Sequence, residues 1–247
     1  MREAVLDVRL LTITEHAVDI VFAACRQCYS KEFAAEIFSD SLKDDSPLAE
    51  KEEFIRKIVE SGHESPLEHV SLTFAIKGIS RSCSLQLVRH RIASYSQQSQ
   101  RYVSMEDFGF VIPPTIQNDV ELKRLFIDSM EDIQKKYNVV VKALNDKGIT
   151  GEKARQDARF ILPEASETKI VLTMNARELL HFFSLRCCAR AQWEIRRMAN
   201  KMLEIAKQNL PSIFGERAGA KCERLKYCPE GPKFTCGKFP LKNKVAG

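Results

Sequence analysis

One stretch of the chain alternates apolar and polar side chains with a period of two, and its apolar members are Val70, Leu72, Phe74 and Ile76. Successive side chains of a β-strand point to opposite faces of a sheet, so this pattern predicts a strand with one face in the core. It is the clearest strand in the sequence, and it requires a fold that contains a sheet.

Most of the other periodic segments are helical. Apolar stripes predict helices at 12–29, 46–62, 79–92, 118–147, 150–163, 176–188 and 192–209, and strands at 5–13, 108–112 and 169–174. Their candidate N-terminal caps are Thr12, Ser46, Asn118 and Asn175. Strands do not alternate regularly with helices, and no Gly-rich turn follows a strand. The sequence therefore predicts an α+β fold, with a mixed or antiparallel sheet flanked by helices, rather than a dinucleotide-binding parallel sheet.

The composition is that of an ordinary globular protein. Of the 247 residues, 44% are hydrophobic and 29% are charged, and the net charge is +5. We expect a single domain over 1–215 and an irregular, basic, cysteine-containing tail over 216–247. No apolar run approaches the thickness of a bilayer and the N-terminus does not resemble a signal peptide, so a cytoplasmic protein without a membrane partner is expected. The mild charge suits small phosphorylated ligands and does not demand nucleic acid.

The eight cysteines are expected to remain reduced thiols in the cytoplasm. Cys25 and Cys28 have the spacing of a redox or half-zinc motif, but no second pair follows at the usual distance. Cys222, Cys228 and Cys236 fit no common zinc pattern. The sequence therefore predicts no metal site.

The most basic segment spans residues 89–101 and reads Arg-His-Arg-Ile-Ala-Ser-Tyr-Ser-Gln-Gln-Ser-Gln-Arg. No Asp or Glu occurs between Glu68 and Glu106, so nothing nearby in the sequence balances this charge. Arginine, hydroxyl and amide side chains all form hydrogen bonds to phosphate oxygens. The segment predicts an anion-binding site.

Within the predicted helix 79–92, Gln86, Arg89 and His90 share one face. Arg91 points about 100° away from His90, which suggests two ligands or two parts of one ligand. The polar residues from Ser94 onward indicate a loop after this helix.

The predicted helix 176–188 carries a second set of basic side chains. Arg177 and His181 are four residues apart and can address one ligand together. Arg186 lies nine residues after Arg177, about half a turn out of phase. Either Arg186 is a buried structural arginine, or this helix separates two sites.

Four groups of residues resemble the motifs of one enzyme family. They are 63–69 (His-Glu-Ser-Pro-Leu-Glu-His), Arg89-His90-Arg91 with Ser99 and Arg101, 159–163 (Arg-Phe-Ile-Leu-Pro), and Asn175-Ala176-Arg177 followed by Arg186 through Glu194. In this order they are similar to the flavin-dependent thymidylate synthases, over about residues 20–215. The resemblance implies a non-Rossmann flavin-binding fold and a homotetramer whose flavin sites are shared between subunits.

The resemblance also implies a reaction, the reductive methylation of dUMP to dTMP. Methylenetetrahydrofolate would be the carbon donor, FAD reduced by NADPH the hydride donor, and tetrahydrofolate a product. The implied dUMP-binding residues are Gln86, Gln97, Ser99, Arg101, Arg159 and Arg186, of which Arg186 would be catalytic. The implied FAD-binding residues are His63, Arg89, His90, Arg91, Ser94, Gln97, Asn175, Arg177 and His181.

The chain departs from the family pattern at three positions. Ser96 replaces a frequent Asn, Gln97 replaces a Glu found in several members, and His181 replaces a frequent Asn. The change at Gln97 removes a charge near both implied ligands.

Three alternative functions stay open from the residues alone. A non-catalytic nucleotide- or nucleic-acid-binding protein would explain the basic segment, although few aromatic residues alternate with the arginines. A different flavoprotein acting on a pyrimidine would explain the flavin motifs. A cysteine-dependent mechanism would need a thiolate, and only Cys187 and Cys188, beside Arg186, are placed to supply one.

Overall fold

The structure is a computed structural model and describes residues 2–43, 48–216 and 218–242. The strands are β1 (Arg2–Glu3), β2 (Asp7–Ile13), β3 (Ser71–Ser80), β4 (Ala93–Gln97), β5 (Gly109–Phe110) and β6 (Glu167–Asn175). The longer helices are α1 (Ala17–Gln27), α2 (Ala34–Lys43), α3 (Leu48–Glu60), α6 (Val120–Asp146), α7 (Gly151–Ala158), α8 (Ala176–Arg186) and α9 (Trp193–Asn209). The short helices are α4 (Arg81–Leu87), α5 (Pro114–Gln117), α10 (Pro211–Phe214) and α11 (Lys221–Leu225).

A four-stranded antiparallel sheet with the order β2-β3-β6-β4 confirms the predicted α+β class. The strand predicted from alternation is β3, whose Leu72, Phe74 and Ile76 side chains are buried. The strands β1 and β5 form a separate parallel pair, with Arg2 opposite Gly109 and Glu3 opposite Phe110.

The chain divides into two units. Unit 1 contains Met1–Asp7, Ala75–Arg89 and Tyr95–Val171, and unit 2 contains Val8–Phe74, His90–Ser94 and Leu172–Gly247, each as far as its residues are described. Strands β2, β3, β4 and β6 contribute residues to both units, because the boundary falls within them.

Unit 1 is organised around α6, which confirms the predicted long helix. One stripe of α6 packs against the segment around β5, and the buried members of this cluster include Phe108, Phe110, Met130, Tyr137 and Val141. The N-cap of α6 is Asp119, whose carboxylate accepts hydrogen bonds from the backbone N–H groups of Glu121 and Leu122. The predicted cap, Asn118, is instead the C-cap of α5.

Gly78 of β3 has a positive φ of 72°, and a Cβ at this position would lie 2.0 Å from the carbonyl oxygen of Val5. Only glycine fits this close approach of two backbone segments. The Gly78 N–H donates to the buried carboxylate of Glu167 at 3.1 Å, and Glu167 also accepts from Arg2 at 3.3 Å.

Unit 2 is mostly helical. Helix α1 packs against α2 and α3, and α8 packs against α9. The rings of Phe182, Phe183 and Phe214 meet edge to face in its core. The described residues of the predicted tail also belong to this unit, and among them Ala218, Ala220 and Cys222 are buried.

Three local predictions are wrong. The segment 79–92 is not one helix, because β3 continues to Ser80 and α4 ends at Leu87. The segment from Ser94 onward, which was predicted to be a loop, begins within β4. The predicted capping box is absent, since α1 begins after His16, which has a positive φ of 52° and makes no side-chain cap. The α2 helix was not predicted.

The predicted cap Ser46 lies outside the described residues. In the part of the chain that is described, no helix is long and apolar enough to cross a membrane. Among the same residues, no group of three or more His, Cys, Asp or Glu side chains is arranged to hold a metal ion.

Candidate functional site

The Arg-His-Arg segment follows α4 rather than belonging to it, so the predicted shared face of Gln86, Arg89 and His90 does not exist. Arg89 and Arg91 are exposed, whereas the side chain of His90 is buried. Arg89 ends one segment of unit 1, and His90 begins a segment of unit 2.

His90 connects two side chains of α8 within unit 2. The Nε–H of Arg186 donates to Nε2 of His90 at 3.0 Å, and Nδ1 of His90 lies 3.2 Å from Oε1 of Glu178. Arginine has no acceptor, so Nε2 must be the acceptor, and the ring proton is then on Nδ1 and is donated to Glu178. Phe182 packs edge to face against the imidazole, with ring centroids 4.9 Å apart.

Burial determines the ionisation of this group. Burial, together with the electrostatic effects of the neighbouring Arg186 and His181, lowers the pKa of His90 to about 4. Burial also raises the pKa of the Glu178 carboxyl. At neutral pH the imidazole is therefore neutral, and Arg186 supplies the positive charge beside it.

A cavity of about 520 Å³ lies in unit 2 beside the first turns of α8. Asn175, Arg177 and His181 line it, as do Lys221 and Arg224 of the tail. The predicted i, i+4 pair Arg177 and His181 therefore faces one space.

Acidic side chains balance the cations of this cavity. Arg177 forms an ion pair with Glu68 and lies 4.0 Å from Glu64, which is in turn 3.8 Å from Arg224. The pair with Glu68 raises the pKa of Arg177. Any anionic ligand that binds Arg177 must compete with these carboxylates.

Asn175 caps α8 as predicted, because its Oδ1 accepts the backbone N–H of Glu178 at 2.8 Å. His63 lies apart from the lining of this cavity, and its Nδ1 is 3.5 Å from the hydroxyl of Tyr29. Ser94 is exposed on β4.

In unit 1, Gln97 of β4 is held by two hydroxyls. Its Nε2 donates to Oγ of Ser84 at 2.9 Å and to Oγ1 of Thr168 at 3.1 Å. Both hydroxyl residues are buried. The side chain of Gln97, one of the three departures from the family pattern, is therefore held in place by the hydrogen bonds of its amide NH2 group.

A cluster of basic side chains in unit 1 surrounds Arg101. The Ser99 hydroxyl accepts the backbone N–H of Arg101 at 3.2 Å, and Nε of Arg155 donates to the Arg101 carbonyl at 3.0 Å. The guanidinium of Arg101 pairs with Glu152, yet its buried Nε donor has no hydrogen-bond partner among the described residues. The neighbouring Gln100 Nε2 is in the same state. An unsatisfied donor on each of these consecutive residues is suited to an acceptor ligand.

Three predicted dUMP or FAD residues of unit 1 remain separate from this cluster. Gln86 is half-buried at the end of α4, and Arg89 and Arg159 are exposed. No hydrogen bond or ion pair joins them to Arg101 within the described ranges.

The thiol of Cys187 is poorly suited to nucleophilic attack. Burial raises its pKa to about 12, and the negative charge of Glu223 acts in the same direction. A thiolate is the reactive form, so almost none is present at neutral pH. This chemistry disfavours the cysteine-dependent alternative at this position.

Glu178 was not predicted as a site residue, and neither were the acidic and basic residues that complete the cavity, Glu64, Lys221 and Arg224. Glu178 is three residues after the N-cap Asn175, where an acidic side chain is explained by capping alone. Lys221 and Arg224 were assigned to an irregular tail.

Together, the fold and the two sets of basic side chains indicate an α+β protein suited to anionic ligands. A family model described as thymidylate synthase complementing protein matches residues 9–212. The chain belongs to this family, that of the flavin-dependent thymidylate synthases.

Curated relatives match over nearly the whole chain. The flavin-dependent thymidylate synthase of Nitratidesulfovibrio vulgaris is 50% identical over 238 residues, covering 96% of this chain and 97% of that protein. That of Clostridium tetani is 44% identical and covers 96% of this chain and 96% of that protein. That of Pyrococcus abyssi is 45% identical and covers 94% of this chain and 93% of that protein.

A solved structure shares the fold. It is the UMP/dUMP methylase PolB from Streptomyces cacaoi bound with 5-Br dUMP, with a TM-score of 0.68 and 24% identity. The match covers 87% of this chain and 95% of that one.

Proposed function

We propose that this chain catalyses the reductive methylation of dUMP to dTMP. Methylenetetrahydrofolate is the carbon donor, NADPH reduces the bound FAD, and tetrahydrofolate is released. The observation that carries the proposal is the 50% identity to a flavin-dependent thymidylate synthase across 97% of that relative's length.

Arg186 is the proposed catalytic residue. Adding a one-carbon unit at C5 of uracil requires stabilisation of negative charge that develops on the ring carbonyl oxygens, and a fixed cation supplies it. The contact with His90 uses the Nε–H of Arg186, so it leaves the four N–H donors of the two terminal amino groups to other acceptors. The neutral imidazole of His90 adds no competing positive charge.

The unit 2 cavity fits part of a flavin dinucleotide. Its volume of about 520 Å³ lies within the usual range for ligand sites, and Arg177, Lys221 and Arg224 offer cationic donors for phosphate oxygens. When bound, FAD supplies the hydride. The side chains proposed to hold it are His63, Arg89, Arg91, Ser94, Gln97, Asn175, Arg177 and His181. His90 was also predicted to contact FAD, but both of its ring nitrogens contact Arg186 and Glu178, so it is not proposed as a flavin contact.

The Arg101 cluster is the proposed site for the phosphate and sugar of dUMP. The buried, unsatisfied donors Arg101 Nε and Gln100 Nε2 support this assignment, because a phosphate would supply the missing acceptors. The remaining proposed dUMP residues are Gln86, Gln97, Ser99, Arg159 and Arg186.

The proposed assembly is a homotetramer with flavin sites shared between subunits. The resemblance to the family supports it. Mass photometry of the purified protein tests it, since four chains of 28.2 kDa are expected in one particle.

One experiment tests the reaction itself. The purified protein is examined for flavin absorbance, loaded with FAD, and supplied with dUMP, methylenetetrahydrofolate and NADPH. We expect equal amounts of dTMP and tetrahydrofolate. Dihydrofolate as the product would exclude this reaction, and a colourless protein that binds neither FAD nor dUMP would indicate a different function altogether.

A further inference from the structure

We propose that Glu178 is a positioning residue that acts through His90 to hold the guanidinium of Arg186 in its working orientation. The inference rests on the proposed function, in which Arg186 acts on dUMP.

The three side chains form one continuous chain of hydrogen bonds. Glu178 accepts from Nδ1 of His90 at 3.2 Å, and Nε2 of His90 accepts from Nε of Arg186 at 3.0 Å. The side chains of His90 and Glu178 are only 6% and 9% exposed, so water competes little for these contacts. Phe182 packs against the imidazole and limits its rotation.

The direction of each hydrogen bond follows from donor chemistry. Arg186 can only donate, so His90 serves it only when Nε2 carries no proton. That tautomer places the proton on Nδ1, where it needs an acceptor, and Glu178 is the acceptor in contact with Nδ1. Without an acceptor at this position, the imidazole loses the bond that selects the required tautomer, and Arg186 loses its fixed partner.

The position of the acceptor, rather than its charge, should therefore matter. Glu178→Gln keeps an acceptor oxygen at the same distance along the side chain and removes the charge. Glu178→Asp keeps the charge and withdraws the oxygen by one methylene. These two variants separate positioning from electrostatics, and both are small enough changes to preserve folding.

The experiment uses the FAD-loaded protein. It measures kcat for dTMP formation, KM for dUMP, flavin content, and the rate at which NADPH reduces the flavin. We expect Glu178→Asp to lower kcat by about 10- to 100-fold, as expected for a displaced catalytic group. For Glu178→Gln we expect kcat within about threefold of the wild type, because the glutamine keeps an acceptor oxygen for Nδ1 of His90. KM, flavin content and flavin reduction should stay unchanged in both.

Glu230→Gln is the matched control, because it removes a carboxylate from another arginine pair of unit 2, that of Arg190 and Glu230. It should leave every readout unchanged. Equal losses in Glu178→Gln and Glu178→Asp, or a larger loss in Glu178→Gln, would overturn the proposal. Wild-type kcat in Glu178→Asp, or a loss that only follows flavin content, would also overturn it.

Arg186→Ala separates this inference from the proposed function. If Arg186→Ala loses methylation while Glu178→Asp does not, only the positioning role fails. If Arg186→Ala itself turns over normally, the catalytic role of Arg186 fails and the positioning role fails with it.

Discussion

The side-chain amide of Gln97 donates to the hydroxyl of Ser84 at 2.9 Å. The Ser84 hydroxyl donates in turn to the carbonyl of Arg81 at 2.8 Å, so its single proton is already used. A donor is therefore required at position 97, and an amide supplies one where a carboxylate would not. Gln97, which replaces a Glu found in several family members, is therefore matched to its surroundings in this chain.

We expect Gln97→Glu to destabilise the protein by about 1–3 kcal/mol, because the buried Ser84 hydroxyl, whose proton is donated to Arg81, would face a carboxylate and lose its donor. Urea unfolding monitored by circular dichroism measures this change. Ser96→Asn, at the exposed neighbouring departure, is the control and should be nearly neutral. A Gln97→Glu protein as stable as the wild type would show that Ser84 can reorient freely.

Glu68 competes with any phosphate for Arg177. We expect Glu68→Gln to bind FAD about two- to fivefold more tightly, a modest gain because exposed ion pairs contribute less than about 1 kcal/mol. Fluorescence titration of the flavin-free protein measures the affinity. Arg177→Ala should weaken binding in the same assay. Weaker binding by Glu68→Gln would indicate that the carboxylate holds Arg177 in place for the flavin.

Arg101 offers a buried donor to the proposed dUMP phosphate. We expect Arg101→Ala to raise the KM for dUMP by about 10- to 100-fold, the loss of one or two charge-assisted hydrogen bonds. Flavin content should not change. Arg124→Ala, an exposed arginine on α6, is the charge-matched control. An unchanged KM in Arg101→Ala would remove this cluster from the substrate site.

The lowered pKa of His90 predicts a pH-dependent stability. Between its ordinary pKa of 6.5 and about 4, the unfolded chain binds a proton at His90 that the folded chain does not. The free energy of unfolding therefore falls as the pH falls, by roughly 2 kcal/mol at pH 5 from this residue alone. Glu178 acts in the opposite direction, because its raised pKa lets the folded state bind a proton first.

Urea unfolding at pH 7 and pH 5 measures this effect. We expect the wild type to lose more stability than His90→Gln between the two values, since glutamine does not titrate. The groups that face His90 in unit 2 are Glu178, His181 and Arg186. Identical pH dependence in the two proteins would show that His90 is protonated equally in the folded and unfolded states.

Cys187 is not expected to contribute to turnover. With a pKa of about 12, its thiol remains protonated at neutral pH. We expect Cys187→Ala to keep kcat within about threefold of the wild type and to resist iodoacetamide equally, because a protonated thiol is inert. A loss of several orders of magnitude would restore the cysteine-dependent mechanism.

The sequence was most informative where one periodicity dominated. Strand β3 and helix α6 were predicted because their apolar residues repeat with unambiguous periods of two and 3.6. The segment 79–92 was misassigned because Ile79, Cys83 and Leu87 match a helical stripe, although Ile79 lies in a strand. Strand β4 was predicted to be a loop because most of its side chains are polar. It is held in the sheet by backbone hydrogen bonds to β6, and such bonds leave no signal in the pattern of apolar residues.

The candidate site was harder to predict, because its key contacts join distant parts of the sequence. The residue types of the Arg-His-Arg segment indicated an anion site, but not that His90 turns inward to Arg186 and Glu178, 96 and 88 residues away. Tertiary packing decides which of three adjacent polar side chains is buried. The assignment of each residue to FAD or dUMP remains a prediction.

Gly219, Lys221 and Arg224 line the same cavity as Arg177, although they follow Gly215 in the chain. Removing everything after Gly215 would therefore take away one wall of the chamber and two of its positive charges. Such a shortened protein would keep α8 and the His90 contacts, yet its chamber would be open on one side and predominantly acidic at Glu64 and Glu68. Residues 219–224 therefore form part of the cavity wall rather than a peripheral extension.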